Sequence, residues 1–255
     1  MDRLIFTAAQ AMSEYRLDRH NMTHELANIS TPGFKKAYEV ANKPVRTEGE
    51  GFDTRFLPRA FTSPLVDLES GPRMVTGQPM DIAMDANTVM PVRAENGDIG
   101  WTRRGDLRLD PEGFLITGEG HRVLDETLVA IQLPQGSYGY EISREGSIFV
   151  RDEQNPEQGS VLVANLGIKD ATGVDLLRRP DGLFQPLNPA DEGLDFVAGL
   201  GVASVSSGIL EGSTVNAVET LVKFIDHMRS FEMQTKIVTE MKENDSSGAA
   251  MMRAS

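Results

Sequence analysis

His24-Glu25-Leu26-Ala27-Asn28-Ile29-Ser30-Thr31-Pro32-Gly33-Phe34-Lys35-Lys36 is where the chain changes character. Upstream, Ile5, Ala8, Met12, Tyr15, Arg19, Met22, Leu26 and Ile29 recur at alternating spacings of three and four, a heptad seam interrupted once by Arg19. That pattern predicts a helix of roughly 25 residues, about 38 Å long at 1.5 Å per residue. Pro32 disfavours α geometry at Thr31 and so ends it. Asn28 suits the last turn or cap. Pro32-Gly33 suits the two centre positions of a type II turn. The stretch therefore reads as a helix stop followed by a change of direction, with Phe34 left in need of an apolar seat.

The far end of the chain mirrors this. Ser213 and Asn216 are both good N-caps, and Glu219 lies three residues after Asn216. Beyond them Val218, Leu221, Ile225, Met228, Phe231, Val238 and Met241 make a second narrow apolar stripe, and the small, polar residues from Asn244 onward predict fraying. Between the ends, residues 37–75 are punctuated by Pro44, Gly49, Gly51, Pro58, Pro64, Gly71 and Pro72 and read as an extended arm. From about 76 to 204 the signals are β. Strands are expected at 81–84, 89–92, 100–103, 107–109, 114–116, 123–124, 129–133, 147–150 and 161–168, with turns at Asn96-Gly97, Arg104-Gly105-Asp106, Glu112-Gly113, Gly118-Glu119-Gly120 and Glu145-Gly146.

The expected organisation is thus an N-terminal helix in 1–36, an arm at 37–75, a β-rich domain at 76–204, and a C-terminal helix with a frayed tail at 205–255. Neither helix has an apolar partner close in sequence. The expected fold class is α+β, with long terminal helices packed together in a coiled-coil-like pair and an all-β domain inserted between them.

Composition excludes several functions. The 255 residues carry a net charge of −13, which disfavours nucleic acid and anionic membranes. Residues 1–46 carry +2 and residues 205–255 carry −2, so the acidity lies in the centre. There are no cysteines, hence no disulfide, thiolate metal site or cysteine nucleophile. The N-terminus is interrupted by charge from Asp2 and lacks the apolar stretch of a secretory signal; no run is long enough to span a bilayer.

Chemical motifs are weak. His20 and His24 share a helix face, but no third metal ligand accompanies them. Asp81, Asp85, Asp106, Asp110, Glu112, Asp125 and Glu126 are numerous, yet most fall at turns, where Asp is favoured for its local hydrogen bonds. Gly118-Glu119-Gly120 lacks the third glycine of a dinucleotide loop. Arg104-Gly105-Asp106 spells an adhesion tripeptide but is better read as a turn. Catalytic, cofactor and metal residues are all expected to be none.

Three separated motifs, in order, are similar to those of the flagellar axial proteins, the rod and hook subunits of the bacterial flagellum. Leu26-Ala27-Asn28 and Thr31-Pro32-Gly33-Phe34-Lys35 resemble the first, although His24-Glu25 stands where an Asn pair is usual. Thr76-Gly77-Gln78-Pro79-Met80-Asp81-Ile82-Ala83, Thr102-Arg103-Arg104-Gly105, Gly113-Phe114-Leu115 and Val123-Leu124 resemble the central ones, without the usual Gly-Asx-Gly-Phe-Phe. Gly208, Leu210-Glu211, Ser213 and Val215-Asn216, then Arg229-Ser230-Phe231-Glu232, resemble the C-terminal one, with Thr214 and Phe231 replacing Asn and Tyr. The opening residues and the length are most like a proximal-rod member; a distal-rod member is the alternative, ahead of a wall-binding module or hydrolase.

The resemblance implies a structural subunit of the basal-body rod, in the periplasm, exported by the flagellar type III apparatus without a cleaved signal. Its implied partners are further copies and neighbouring rod proteins, with neither nucleic acid nor direct membrane insertion. Assembly would fall to Ile5, Met12, Met22, Leu26, Ala27, Asn28, Thr31, Gly33 and Phe34 at one end. At the other it would fall to Leu210, Glu211, Ser213, Val215, Asn216, Leu221, Ile225, Met228 and Phe231.

Overall fold

A computed structural model describes residues 2–37, 43–46, 56–59, 65–134, 137–152, 159–188 and 201–253. The chain divides into two compact units. One holds residues 1–27, 39–63 and 216–255; the other holds 28–38 and 64–215.

In the first unit, α1 (Asp2–Ala27) ends one residue before Asn28. Strands β1 (Lys43–Arg46) and β2 (Phe56–Arg59) pair antiparallel, within the stretch expected to be an arm. Helix α2 (Ala217–Arg253) spans 37 residues against 26 for α1, continuing through the small, polar residues beyond Asn244. Asn216 is its cap: Oδ1 accepts the amides of Val218 at 3.1 Å and Glu219 at 3.3 Å.

Here the expected fold class fails. The region between the two helices is mostly β, the helices are of unequal length, and the two apolar stripes do not zip into a coiled-coil-like pair. In α2 the shielded face is Thr220, Phe224, His227, Phe231, Gln234, Val238 and Met241. Leu221, Ile225 and Met228 are 49, 51 and 37% exposed, and Val218 more so. The face turned inward is polar every seventh residue; His227 stacks, tilted, on Tyr15 with 4.8 Å between ring centroids. The reason is in the composition of α2. Apolar residues recur on two neighbouring faces, Leu221-Ile225-Met228 and Phe224-Phe231-Val238, about a quarter turn apart at about 100° per residue, so periodicity identifies two candidate stripes without choosing between them.

The second unit is built of short antiparallel strands. β3 is Arg73–Val75, β4 Ile82–Met84, β5 Thr88–Arg93, β6 Ile99–Thr102, β7 Leu107–Leu109, β8 Leu115–Thr117 and β9 Arg122–Val123. β10 (Ser137–Ile142), β11 (Ser147–Asp152) and β12 (Ser160–Asn165) follow, then β13 (Lys169–Asp170), β14 (Leu176–Arg178), β15 (Phe184–Pro186), β16 (Val205–Ser207) and β17 (Ile209–Glu211). The main sheet runs β14-β15-β6-β5-β9-β8-β7, with β13 also on β5, and β10-β11-β12 forms a meander. Four of the expected turns fall where the glycines demand it, Gly97, Gly113, Gly120 and Gly146 all having positive φ, whereas Arg104-Gly105-Asp106 runs on without an assigned turn into the bridge at Asp106.

Two pairings tie the C-terminal segment to the start of this unit. β16 lies on β4, with Val205 opposite Met84, and β17 lies on β3, with Glu211 opposite Arg73. The main core gathers Ile82, Met84, Met90, Leu115, Ile148, Leu166 and Val205; a second, around Trp101, gathers Val66, Val89, Leu176 and Phe184.

Candidate functional site: a buried charged clasp

The turn after α1 is the one the residues call for. The Phe34 amide bonds to the Thr31 carbonyl at 3.3 Å, closing Thr31-Pro32-Gly33-Phe34, and Gly33 has φ +68°, the value a type II turn needs at its third position. Asn28 braces it, its Oδ1 accepting from the Thr31 hydroxyl at 3.2 Å.

From this turn the chain runs beside the C-terminal segment. The Gly33 amide donates to the Glu211 carbonyl at 2.7 Å and the Thr214 amide to the Phe34 carbonyl at 3.1 Å. The Thr214 hydroxyl accepts from the Lys36 amide at 2.9 Å. A Cβ at Gly33 would overlap the Arg103 carbonyl, so glycine is required there for space as well as for φ. Phe34 finds its seat under a cation: the Arg178 guanidinium lies 4.6 Å from its ring centre.

At the centre of the junction is Glu211, 2% exposed. Its Oε1 accepts from Lys35 Nζ at 2.7 Å and from the Gly71 amide at 2.8 Å. Its Oε2 accepts from Arg103 Nε at 3.0 Å, with Nη2 at 2.9 Å. Lys35 also donates to the Glu69 carbonyl at 2.6 Å. Arg103 spends its remaining donors on the carbonyls of Ala86, Thr88 and Met84, at 2.6, 2.9 and 2.9 Å. Both cations are fully buried. Such charges persist in an interior only when paired and hydrogen-bonded, and here they are.

Burial foremost, and then the neighbouring Arg103, pull the Lys35 amine down from 10.5 to about 8; Glu211 opposes them. Burial also lowers Arg103. A second carboxylate flanks the clasp. Asp85 accepts from Arg73 at 2.6 Å and from the Ser204 and Ser206 hydroxyls at 3.0 and 3.3 Å. Burial raises its carboxyl, but these bonds outweigh that and hold it below the usual 3.8.

Of the residues singled out in the sequence, Asn28, Thr31, Gly33, Phe34, Glu211, Ser213 and Val215 lie in or beside this junction, with Leu210 on β17. Ser213 does not cap α2; its hydroxyl accepts the Val215 amide at 3.2 Å. Met12, Met22, Leu26 and Phe231 are half-buried, and Ala27 is exposed. The Ile5 side chain lies outside the described residues. In the sequence Lys35 and Arg103 stand out only as members of the motifs Thr31–Lys35 and Thr102–Gly105. The signal that could have singled them out is the conjunction of one acid with two bases, each inside an otherwise apolar or glycine-rich motif.

Asp110 and Asp125 behave as turn formers. Asp110 Oδ1 accepts the Glu112 and Phe114 amides, and Asp125 Oδ1 accepts those of Thr127 and Val129. Arg104 and Asp106 pair with each other at 2.6 Å, and Arg104 also reaches Glu119, so the tripeptide is internally engaged. Among the described residues no group of acids and histidines could hold a metal, and no helix is long and apolar enough to cross a membrane.

Comparison with known proteins places these features in context. Residues 206–251 match the family described as flagellar basal body rod FlgEFG protein C-terminal, and residues 83–150 match the flagellar hook protein FlgE/F/G D1 domain. The flagellar basal-body rod protein FlgF of Escherichia coli is 34% identical over 96% of each chain, as is that of Salmonella typhimurium. The flagellar basal-body rod protein FlgG of Bacillus subtilis is 25% identical over 95% of this chain and 96% of its own length. The F-type likeness exceeds the G-type one, in line with the opening residues.

Proposed function

The chain belongs to the flagellar basal-body rod protein family, a structural family and not an enzymatic one, and from that premise we propose that it is a proximal-rod subunit. It stacks head-to-tail with copies of itself and with neighbouring rod proteins into the periplasmic driveshaft, and it transmits torque. It reaches that place through the flagellar type III export apparatus.

The observation that carries this reading is the stripe Val218, Leu221, Val222, Ile225 and Met228, left exposed along one face of α2. A run of large apolar side chains on one helix face is a surface to be covered by other molecules. Contacts between unlike patches propagate as a helical filament when their rotation does not close into a ring. The clasp supports the torque role. A driveshaft subunit must not shear internally, and within the second unit Glu211 bonds both Lys35 of the N-terminal turn and Arg103 just after β6.

The experiment is a tagged copy expressed in a flagellated strain that lacks the native one. We expect it in purified basal bodies, with motility restored, and a copy lacking residues 1–36 absent from them. Full motility without any basal-body copy would end the proposal.

A further inference from the structure

The clasp holds two cations against one anion. Lys35 and Arg103 have no exposed side-chain surface and Glu211 has almost none, so a surplus positive charge sits inside the protein. The charges facing the amine come from every side: Glu211 on β17, Arg103 just after β6, and Asp67 in the segment before β3. Arg73 on β3 and Asp85 after β4 act in turn on the guanidinium. Glu69 contributes only its carbonyl.

We infer that residues 31–37 form a proton-linked latch, whose docking on the β unit is opposed by the surplus charge of the clasp and tightens when Lys35 gives up its proton. Arg103 is not the group that releases it, because a guanidinium stays protonated. A neutral lysine keeps two N–H donors, which suffice for the Glu69 carbonyl and Glu211 Oε1, so the bonding geometry survives the loss.

The lowered amine agrees with this: about 8 when docked, against 10.5 when free. Because the docked value is the lower one, the undocked chain binds more protons between those limits. Docking therefore strengthens as pH rises through that window and is unaffected well below it. An ordinary surface lysine pair behaves in the opposite way, weakening as the amine deprotonates. The inference rests on the clasp alone and holds whichever assembly the chain joins.

The test compares the full chain with Lys35→Met in urea at pH 7 and pH 9. Relative to the variant, the folding equilibrium constant of the wild type should rise about tenfold between them, from values of 8 and 10.5. A flat ratio overturns the latch. In parallel, NMR of the Lys35 side chain in the full chain should show a titration midpoint near 8. A midpoint above about 10, the range of an ordinary lysine, overturns it even if the variant fails to fold.

Discussion

Lys35 and Glu211 meet at 2.7 Å across 176 residues of sequence, inside the protein. The meeting ties the turn after α1 to β17 within the second unit, and Arg103 holds the same carboxylate from just after β6. A hub of this kind is asymmetric: its members are not equally dispensable.

Glu211→Leu should be the worst change in the cluster. It strands two buried cations without a counter-charge, and breaking a buried pair by removing one partner costs about 3–5 kcal/mol. Lys35→Met leaves Arg103 and Glu211 as a balanced pair and should be mild by comparison, within about 1–2 kcal/mol at neutral pH. Urea unfolding of the full chain ranks the two. Equal effects would mean that Glu211 is not the hub.

Two glycines of similar φ separate strain from space. Gly33 and Gly77 lie at +68° and +73°, but only Gly33 has a carbonyl where a Cβ would go. Gly77→Ala should cost about 1 kcal/mol, the left-handed backbone penalty alone. Gly33→Ala should cost several times that and release Arg103, visible as lost hydrogen-exchange protection of the amide at position 33, which Gly33 donates to the Glu211 carbonyl.

Leu221→Asp discriminates assembly from folding. The side chain is half exposed in the single chain, so its unfolding free energy should change by less than about 0.5 kcal/mol. Incorporation into basal bodies, and motility, should be lost. A stable, motile variant would remove the exposed stripe from the assembly surface.

Acid should act through Asp85. Its folded carboxyl titrates below the unfolded 3.8, so the unfolded chain binds protons first as pH falls. The stability it contributes is complete above that unfolded value and is lost as pH drops through the folded one. Asp85→Asn should lower stability at neutral pH and flatten the acid limb of the unfolding curve. An unchanged acid limb would show that Arg73, Ser204 and Ser206 do not favour the ionised form.

Much of this is legible in the sequence. The halt near Asn28, the turn at Pro32-Gly33, the Asn216 cap and most strands of the β unit all follow from signals a few residues long. Family membership was legible too, because its motifs consist of those same turn and cap residues. The matched coiled-coil-like pair was not, and the expectation was wrong. In α2 both Leu221-Ile225-Met228 and Phe224-Phe231-Val238 sit at helical spacing, and only packing tells which set faces inward.

By itself, then, the sequence determined where the backbone must turn, stop or alternate, since steric limits on proline, glycine and the β pleat act between near neighbours. The tertiary structure alone decided that Lys35, Arg103 and Glu211 share one interior point, and that α2 turns Thr220 and His227 inward. Burial and charge pairing depend on what the folded chain brings alongside, and spacing in one dimension carries no record of that.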